Sequence, residues 1–369
     1  MRTIVFTGGG TGGHVYPGLA VLSALPPAMR SRVVWVGSRR GVERRIVGNA
    51  GIAYRSVPTG KLRRYFDVEN LLDIFRVLHG VIAAYYLLRT LAVDVVFSKG
   101  GYVAVPVVAA AYLLRIPVVI HESDADPGLA TRLTAPLASR ILLPYEETGR
   151  AFPARWQHKI VTSGNPVRPE FRTAVTEGVL SRIGLAETTQ PVILVTGGSL
   201  GARQINLLVH ETIAELTREA VVIHQTGDHG VEMISEIAAQ AVTGRYRGAP
   251  QFTALFPALM RRADLVIARA GAGTIWEIAV CRRPAVLIPL PEGASRGDQL
   301  RNARRYAASG AADVLDDPDL DAASFLSVVW SILNDADRRR RMSLAAGSWG
   351  AGDAAPRIVR ELEDVVKGR

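Results

Sequence analysis

The chain has 369 residues, with 44 Lys and Arg against 34 Asp and Glu and a single cysteine. Because one hydrophobic core stops growing at roughly 250 to 300 residues, we expect two domains. With 48% hydrophobic and 21% charged residues, the composition excludes a disordered or low-complexity chain. The lone Cys281 excludes an internal disulfide and a zinc site of the CxxC kind. The first residues lack the apolar run of a secretory signal, so we expect a cytoplasmic protein.

The net positive charge is confined to the first half of the chain. Residues 1–164 contain 20 Lys and Arg against 10 Asp and Glu, whereas residues 165–369 contain 24 of each. An anionic partner for the first half accounts for this asymmetry, and the candidates are nucleic acid, an anionic membrane surface and a phosphorylated substrate. The alternative is a basic face that is simply solvated.

Short β-rich runs alternate with longer helical segments, which is typical of parallel sheets with crossover helices. We therefore predict an α/β fold of two Rossmann-like, doubly wound domains that face a central cleft. The first domain is expected over residues 1–164 and the second over 165–350, with a C-terminal helix at about 351–369 that packs back on the first. The predicted strands are Thr3–Phe6, Val33–Val36, Val93–Phe97, Val118–His121, Ile141–Leu143, Ile160–Thr162, Val192–Val195, Val221–His224, Leu265–Ala268 and Ala285–Ile288.

The first predicted strand runs into a glycine-rich loop at residues 8–14 and then into a helix. Glycine lets backbone N–H groups approach a substrate closely, and a helix N-terminus favours negative charge. Loops of the same kind follow later strands at residues 98–102 and 196–202, so we expect a substrate with several phosphates. His14 lies at the predicted helix N-terminus, which lowers the pKa of an imidazole, and is the candidate general base. A purely structural histidine is the alternative.

Two other protein classes begin with similar features. An NAD-dependent oxidoreductase also carries a glycine-rich loop after its first strand. Here the G-x-G-x-x-G spacing is absent, and the second strand ends in Gly37-Ser38-Arg39 without an acidic residue for a ribose. A nucleic-acid-binding module is suggested by basicity alone, since the chain has no aromatic-rich RNA platform and no zinc motif. We therefore expect no nucleic-acid partner.

Apolar residues recur every three or four positions between Leu71 and Tyr85, which predicts an amphipathic helix. Basic residues interleaved with aromatic and apolar ones stand just before it, at residues 61–66. This arrangement suits docking on an anionic membrane surface, while packing of the stripe on the sheet is the alternative for the helix. No apolar run reaches the roughly 20 residues needed to span a bilayer. The expected membrane contacts are Lys61, Arg63, Arg64 and Phe75.

A nucleotide site is predicted in the second half. A strand ends at Arg269 and runs into small residues at 270–274 and a helix that carries Glu277. Main-chain N–H groups of such a turn meet a diphosphate, and a carboxylate accepts both hydroxyls of a ribose. Further on, Asp298 and Gln299 place a carboxylate beside an amide, which suits the hydroxyls of a sugar. Helix capping by Asp298 is the alternative.

Seven ordered motifs carry a resemblance to a known family: residues 8–14, 97–106, 121–128, 164–168, 197–202, 269–277 and 298–302. In order and spacing they resemble the MurG glycosyltransferases of peptidoglycan synthesis, and the resemblance covers nearly the whole chain. It implies GT-B architecture, with the acceptor on the first domain and the UDP-sugar mainly on the second. It also implies inverting transfer of N-acetylglucosamine from UDP-N-acetylglucosamine to the 4-hydroxyl of the muramyl sugar of lipid I, giving lipid II. With the basic first half, we expect peripheral binding at the cytoplasmic face of the membrane and no cofactor.

The resemblance also implies roles for individual residues. His14 serves as the base or as part of the acceptor loop, the backbone of Thr253 reads the uracil, and Glu277 holds the ribose. The expected acceptor and diphosphate loops contain Gly9, Gly10, Gly100, Gly101 and Tyr102. The expected donor-binding residues are Thr11, Gly12, Gly13, Asp124, Arg168, Ser199, Thr253, Ala270, Gly271, Ala272, Gly273, Thr274, Glu277, Asp298 and Gln299.

Two positions depart from the family pattern. Many members read His-Glu-Gln-Asn where this chain has His-Glu-Ser-Asp, so the carboxylate of Asp124 replaces an amide; a second branch of the family carries the Ser-Asp form. Asp298 stands where some relatives have Gln. The segment Asp124-Ala125-Asp126 also fits a metal-binding pattern, but the Pro-Gly that follows indicates an ordinary turn, so we expect no metal. The nearest alternative function is a UDP-N-acetylglucosamine 2-epimerase, which would lack the lipid-facing region.

Overall fold

The computed structural model describes residues 3–60, 68–198, 200–291, 293 and 297–368, except for the side chains of residues 68–74. The chain forms two compact units, the first made of Met1–Arg168 and Asp353–Arg369 and the second of Pro169–Gly352. The first unit thus extends to Arg168, a few residues beyond the boundary expected at residue 164.

The first unit is built on a parallel sheet. Its strands are β1 (Thr3–Thr7), β2 (Val33–Gly37), β3 (Ala53–Ser56), β4 (Val93–Ser98), β5 (Val118–His121), β6 (Arg140–Leu143) and β7 (Ile160–Thr162). They lie in the order β3-β2-β1-β4-β5-β6-β7. Phe6 of β1, for example, lies opposite Trp35 of β2 and Phe97 of β4. The strand order changes direction between β1 and β4, and this switch point is where an open parallel sheet binds its ligand.

Helices cover both faces of this sheet. They are α1 (Tyr16–Ala24), α2 (Pro27–Arg30), α3 (Val42–Asn49), α4 (Val68–Leu91), α5 (Ala104–Leu113) and α6 (Leu129–Thr134), with short 3₁₀ turns at Gly12–His14, Ala135–Leu137, Glu146–Ala151 and Ala154–Lys159. Alternate residues of β1 point to opposite faces. Ile4 and Phe6 are buried in the cluster that includes α1, whereas Val5 is buried in the cluster that includes α4 and α5. Burial on both faces explains why the strands read as continuous apolar runs.

The second unit repeats this plan. Its strands are β8 (Val192–Thr196), β9 (Val221–Gln225), β10 (Tyr246–Ala249), β11 (Leu265–Ala268), β12 (Ala285–Leu287) and β13 (Ala312–Val314). They form a parallel sheet in the order β10-β9-β8-β11-β12-β13. Its switch point lies between β8 and β11, where Ile267 pairs with Val195.

Helices again cover the second sheet, and the last helix of the chain belongs to the first unit. In the second unit they are α7 (Glu170–Thr173), α8 (Arg203–Glu219), α9 (Met233–Gln240), α10 (Phe256–Arg262), α11 (Ala272–Cys281), α12 (Asp298–Ala307), α13 (Ala322–Leu333) and α14 (Ala336–Trp349), with 3₁₀ turns at Ser181–Ile183, Asp228–Gly230 and Thr253–Leu255. Helix α15 (Ala354–Lys367) buries Ile358 and Leu362 in the first-unit cluster that contains Ile4 and Phe6.

Helix α4 is longer than predicted and differs from a simple amphipathic helix. Ala84 and Leu88 are buried against the sheet. Four apolar side chains of the same helix face solvent and are 54% to 65% exposed: Phe75, Leu78, Ile82 and Tyr86. The predicted helix is confirmed. Of the residues counted in its apolar stripe, Phe75, Leu78 and Ile82 face solvent, whereas Val81 and Tyr85 pack against the core. The alternative in which the whole stripe packs on the sheet is therefore wrong. Among the described residues, no helix is long and apolar enough to cross a membrane.

Candidate functional site

The first unit brings three loops together at the carboxyl ends of β1, β4 and β5. The backbone N–H of Lys99 donates to the carbonyl of Thr7 at 2.8 Å, which joins the end of β4 to the end of β1. Gly101 has φ +77°, and a Cβ there would overlap the carbonyl group of Gly9. Glycine is thus required for the first two loops to touch. A Cβ on Gly10 would lie 2.8 Å from the ring of Tyr102, so the residues predicted for the acceptor loops are neighbours.

A buried carboxylate from α3 holds the first glycine loop in place. Glu43 is 0% exposed. Its Oε2 accepts from the N–H of Gly10 at 3.1 Å, while its Oε1 accepts from the N–H of Ser38 at 3.0 Å and from the Ser38 hydroxyl. A buried carboxylate is stable only where its lone pairs are used in this way. Sequence reasoning missed Glu43, because nothing in its local pattern separates it from a solvent-facing helix residue.

His14 lies half-buried in the 3₁₀ turn that precedes α1. A Cβ on Gly101 would be 3.0 Å from its Cδ2, so the ring lies against the second glycine loop. Burial lowers the pKa of His14, and the nearby Lys99 lowers it further, while Glu122 and Glu43 act in the opposite direction. The lowered pKa agrees with the prediction, but the predicted cause does not, because α1 begins only at Tyr16. A neutral imidazole at this position can accept a proton.

A buried lysine lies beneath His14. Lys99 is 2% exposed, and its Nζ donates to His121 Nδ1 at 2.7 Å and to Ser123 Oγ at 2.7 Å. His121 Nδ1 then acts as acceptor, so its Nε2 carries the proton and donates to the carbonyl of Gly164 at 2.9 Å. The Ser123 hydroxyl donates in turn to Asn165 Oδ1 at 2.9 Å. Burial lowers the Lys99 pKa to about 8, and sequence reasoning gave this side chain no role.

Glu122 organises the loop after β5. Its Oε1 accepts from the N–H groups of Ser123 and Asp124 at 2.7 and 3.2 Å, and its Oε2 accepts from Gly128 N–H and Thr131 Oγ1 at 3.0 and 2.6 Å. Asp124 is half-exposed at the tip of this loop. Within the described parts of the chain, no group of three or more His, Cys, Asp and Glu residues is arranged to hold a metal.

Arg168 was predicted to bind the donor as part of the second domain, but it belongs to the first unit. Its guanidinium carbon lies 4.9 Å from the ring centre of Tyr16. In the first glycine loop, Thr11 and Gly13 are exposed and Gly12 is half-exposed. The predictions for Lys61, Arg63, Arg64 and Ser199 fall outside the described residues.

In the second unit, α11 starts at the switch point of the sheet. Gly271 is the N-cap residue of this helix, and no side chain caps the helix start. The first hydrogen bond of the helix joins the N–H of Ile275 to the carbonyl of Gly271 at 3.0 Å. The leading N–H groups of a helix have no acceptor within it and therefore favour an anion. Asn302 of α12 is 2% exposed and donates through Nδ2 to the carbonyl of Ala270 at 3.5 Å, which supports the predicted phosphate turn from behind.

A buried amide shapes the loop predicted to read the base. Gln225 ends β9, donates through Nε2 to Thr196 Oγ1 at 3.2 Å and accepts from the N–H of Phe252 at 3.2 Å. The next residue, Thr253, has φ +42°, a backbone conformation that costs on the order of 1 to 2 kcal/mol for a residue with a Cβ. Such strain persists only where surrounding contacts impose it. Gln225 was not among the residues that the sequence singled out.

Another neutral network lies under the third glycine loop. A Cβ on Gly201, which has φ +87°, would overlap the carbonyl of Thr226. Asn206 donates to that same carbonyl at 3.1 Å and accepts from His224 Nε2 at 3.1 Å. Burial lowers the pKa of His224 to about 3, so its ring is neutral, and its Nδ1 lies 3.3 Å from the hydroxyl of Tyr246.

The predicted sugar-binding pair follows β12. Gly297, not Asp298, is the N-cap of α12, so the capping alternative is wrong. Asp298 instead pairs with Arg301 at 2.7 Å, while Gln299 Oε1 accepts from the N–H of Leu290 at 3.1 Å. Glu277 is half-buried on α11. Together with Thr253 and residues 270–274, these residues lie in loops and helix starts at the carboxyl edge of the second sheet.

Comparison with known proteins identifies the family. Residues 4–143 match the model of the glycosyltransferase family 28 N-terminal domain, and residues 192–359 match that of the C-terminal domain. The chain is 40% identical over 370 residues to the UDP-N-acetylglucosamine–N-acetylmuramyl-(pentapeptide) pyrophosphoryl-undecaprenol N-acetylglucosamine transferase of Treponema pallidum, covering 99% of this chain and 96% of that protein. The crystal structure of Acinetobacter baumannii MurG matches with a TM-score of 0.75 and 26% identity, over 99% of this chain and 100% of that one. The chain belongs to the MurG family.

This result confirms the resemblance inferred from the seven motifs and the two-sheet α/β fold. A UDP-GlcNAc 2-epimerase from Neisseria meningitidis, bound to UDP-GlcNAc, also matches, with a TM-score of 0.70 and 16% identity over 99% of this chain and 100% of that one. At that identity the likeness shows a shared fold alone. The MurG relationship, in contrast, extends through the sequence of both units.

Proposed function

We propose that this protein transfers N-acetylglucosamine from UDP-N-acetylglucosamine to the 4-hydroxyl of the muramyl sugar of lipid I, with inversion, and so forms lipid II. The observation that carries the proposal is the 40% identity over 370 residues to an enzyme named for this transfer. The contacts described in each unit are consistent with this transfer, with the donor on the second unit and the acceptor on the first.

The second unit is proposed to bind the UDP-sugar. The start of α11 directs main-chain N–H groups at the diphosphate, and these stabilise the negative charge that develops on UDP as it leaves. We assign the ribose to Glu277, the uracil to the backbone at Thr253, and the sugar hydroxyls to Asp298 and Gln299. Departure of UDP then requires no metal, and transfer is expected to continue in excess EDTA.

The first unit is proposed to bind the acceptor and supply the base. His14 stands among the glycine loops as a neutral imidazole, because burial and Lys99 lower its pKa. It accepts the proton of the muramyl 4-hydroxyl as that oxygen attacks the anomeric carbon of the donor and the bond to UDP breaks. We assign the acceptor diphosphate to the loops that contain Gly9, Gly10 and residues 100–102.

Transfer of labelled N-acetylglucosamine to a short-chain lipid I analogue tests this function. UDP release is followed with and without acceptor. Release that depends on acceptor, with label in a disaccharide, supports the proposal. Release without acceptor, or epimerised sugar, would contradict it and favour the epimerase chemistry that the same fold supports.

We also propose that α4 docks the protein on the cytoplasmic face of the membrane. Phe75, Leu78, Ile82 and Tyr86 form an exposed apolar row on this helix. Its neighbour α5 exposes Tyr112 and Leu113 near its C-terminal end. These exposed side chains can bury apolar surface at the boundary between the lipid headgroups and the acyl chains. The net positive charge of residues 1–164 adds attraction to anionic lipid.

Vesicle sedimentation tests the docking surface. Phe75→Ser with Tyr86→Ser should lower the partition coefficient on anionic vesicles by about tenfold or more, since each insertion contributes on the order of 1 kcal/mol. Val175→Ser with Leu344→Ser, which removes two equally exposed apolar side chains from the second unit, is the matched control. Charge reversal of Lys61, Arg63 and Arg64 should also weaken binding. Equal binding by all variants would rule out this surface.

A further inference from the structure

Lys99 is the buried charge of the first unit that the proposed chemistry leaves without a role. Lysine is almost never fully buried unless its ammonium group is paired. Its side chain runs directly under the first glycine loop: a Cβ on Gly8 would lie 3.0 Å from Lys99 Cβ, and one on Gly18 would lie 3.6 Å from its Cγ. Because Lys99 is 2% exposed, it does not reach a substrate and must act through its neighbours.

The contacts of Lys99 connect three strand ends. Its backbone N–H bonds to Thr7 at the end of β1. Its ammonium group bonds to His121 at the end of β5 and to Ser123 just beyond. Through these two residues the same network reaches the carbonyl of Gly164 and the side chain of Asn165 after β7. A single residue therefore links these strand ends, and its side chain fixes the ends of β5 and β7 near His14.

The charged groups near Lys99 have opposite effects on the protonation of Lys99 and of His14. Glu122 and Asp124 both favour the protonated form of Lys99, against its burial. The ammonium group in turn disfavours protonation of His14, whereas Glu122 and Glu43 favour it. His121, which the ammonium group touches, is likewise held neutral by burial and by Lys99.

We infer that Lys99 is a positioning residue for sugar transfer: its ammonium group fixes the end of β5 and offsets nearby carboxylates so that His14 is presented as a neutral base. The inference rests on the proposed function, in which His14 accepts the acceptor proton. Asp124, which stands where many family members carry an amide, favours the positive charge of Lys99.

The first test is Lys99→Met, which keeps the unbranched shape and most of the length of the side chain and removes its charge. Without the ammonium group, Glu122 and Glu43 stabilise the imidazolium form of His14. The acidic limb of kcat/KM against pH should therefore move to higher pH by about one unit, as expected for loss of a close charge. Lys159→Met removes the same charge from the surface segment before β7 and should leave the profile unchanged. An NMR titration of His14, assigned with His14→Gln, should show the same shift without substrate.

A second variant keeps the inference testable if Lys99→Met does not fold. Asp124→Asn lies at a half-exposed loop position and removes a carboxylate that supports the charge of Lys99. An NMR titration of the enzyme with isotope-labelled lysine should then show a lower pKa for Lys99, because its positive charge loses a supporting carboxylate. An unchanged His14 titration in Lys99→Met, or an unchanged Lys99 titration in Asp124→Asn, would overturn the inference. Absence of transfer by the wild-type enzyme would instead refute the proposed function, since the NMR titration does not depend on it.

Discussion

Gln225 allows a quantitative test of how the second unit shapes the loop that we propose reads the base. Gln225→Leu preserves the approximate volume of a side chain that is 8% exposed, but removes both of its hydrogen bonds. The N–H of Phe252 then lacks its acceptor, which costs about 1 to 3 kcal/mol for a buried group. The strained backbone of Thr253, at φ +42°, loses the contact that imposes it. If the loop must be restored on binding, that cost appears as a rise of roughly 5- to 150-fold in KM for UDP-N-acetylglucosamine.

Steady-state kinetics at saturating acceptor separate this effect from general damage. The kcat at saturating donor should stay near the wild-type value, because the loop is complete once the donor is bound. Gln240→Leu, on an exposed position of α9, is the control and should leave KM for the donor unaltered. A Gln225→Leu enzyme that is less stable but has the wild-type KM for the donor would refute the reasoning.

Three further predictions concern charged or titratable side chains. Glu277→Ala should raise KM for the UDP-sugar about tenfold or more, because a carboxylate bound to two ribose hydroxyls contributes about 1.5 to 3 kcal/mol; an unchanged KM removes its ribose role. His224 has a folded pKa of about 3, below the unfolded value, so its contribution to stability is present above about pH 6.5 and is lost as pH falls, at about 1.4 kcal/mol per unit. Urea unfolding at pH 7 and pH 5 should therefore show a smaller loss of stability in His224→Gln than in wild type. Glu43→Gln replaces one acceptor oxygen by an NH₂ group and should lower both the melting temperature and kcat/KM for the acceptor, while an equally stable variant would show that the carboxylate does not hold the glycine loop.

Most of the strands that could be predicted from sequence are buried on both faces, and the edge strand β7 is an exception. The runs at residues 95–97 and 192–195 are apolar throughout because helices cover both sides of these central strands. The strands that were missed, β3, β10 and β13, all lie at sheet edges. Tyr246-Arg247-Gly248-Ala249 of β10 contains a charge and a glycine, and its residues are half-buried or exposed. An edge strand with partial burial does not produce an apolar run, so its sequence resembles a loop.

Some features of the site are contained in a short stretch of sequence, whereas others depend on residues that are far apart along the chain. Glycine loops and helix starts were predictable, because the chemistry of a phosphate turn is contained in a few consecutive residues. The side chains that hold those loops were not. Glu43 bonds to a residue 33 positions away and Gln225 to one 27 positions away. Only the topology of the parallel sheets, which places the ends of distant strands side by side, brings such residues to their partners.

The two units support their loops with different chemistry, and we relate the difference to the proton transfer that is proposed for the first unit alone. Among the described residues, the first unit buries charged groups beneath its loops, including Glu43, Lys99 and Glu122, whereas the buried polar residues of the second unit are all neutral, such as Gln225 and Asn302. Neutral amides order a phosphate turn without placing a fixed carboxylate near the diphosphate, so the potential of the α11 N-terminus is preserved for the departing UDP. In the proposed function the first unit instead keeps the imidazole of His14 neutral beside an anionic acceptor. Burial lowers the pKa of His14 most, the ammonium group of Lys99 lowers it further, and Glu122 and Asp124 favour the protonated form of Lys99.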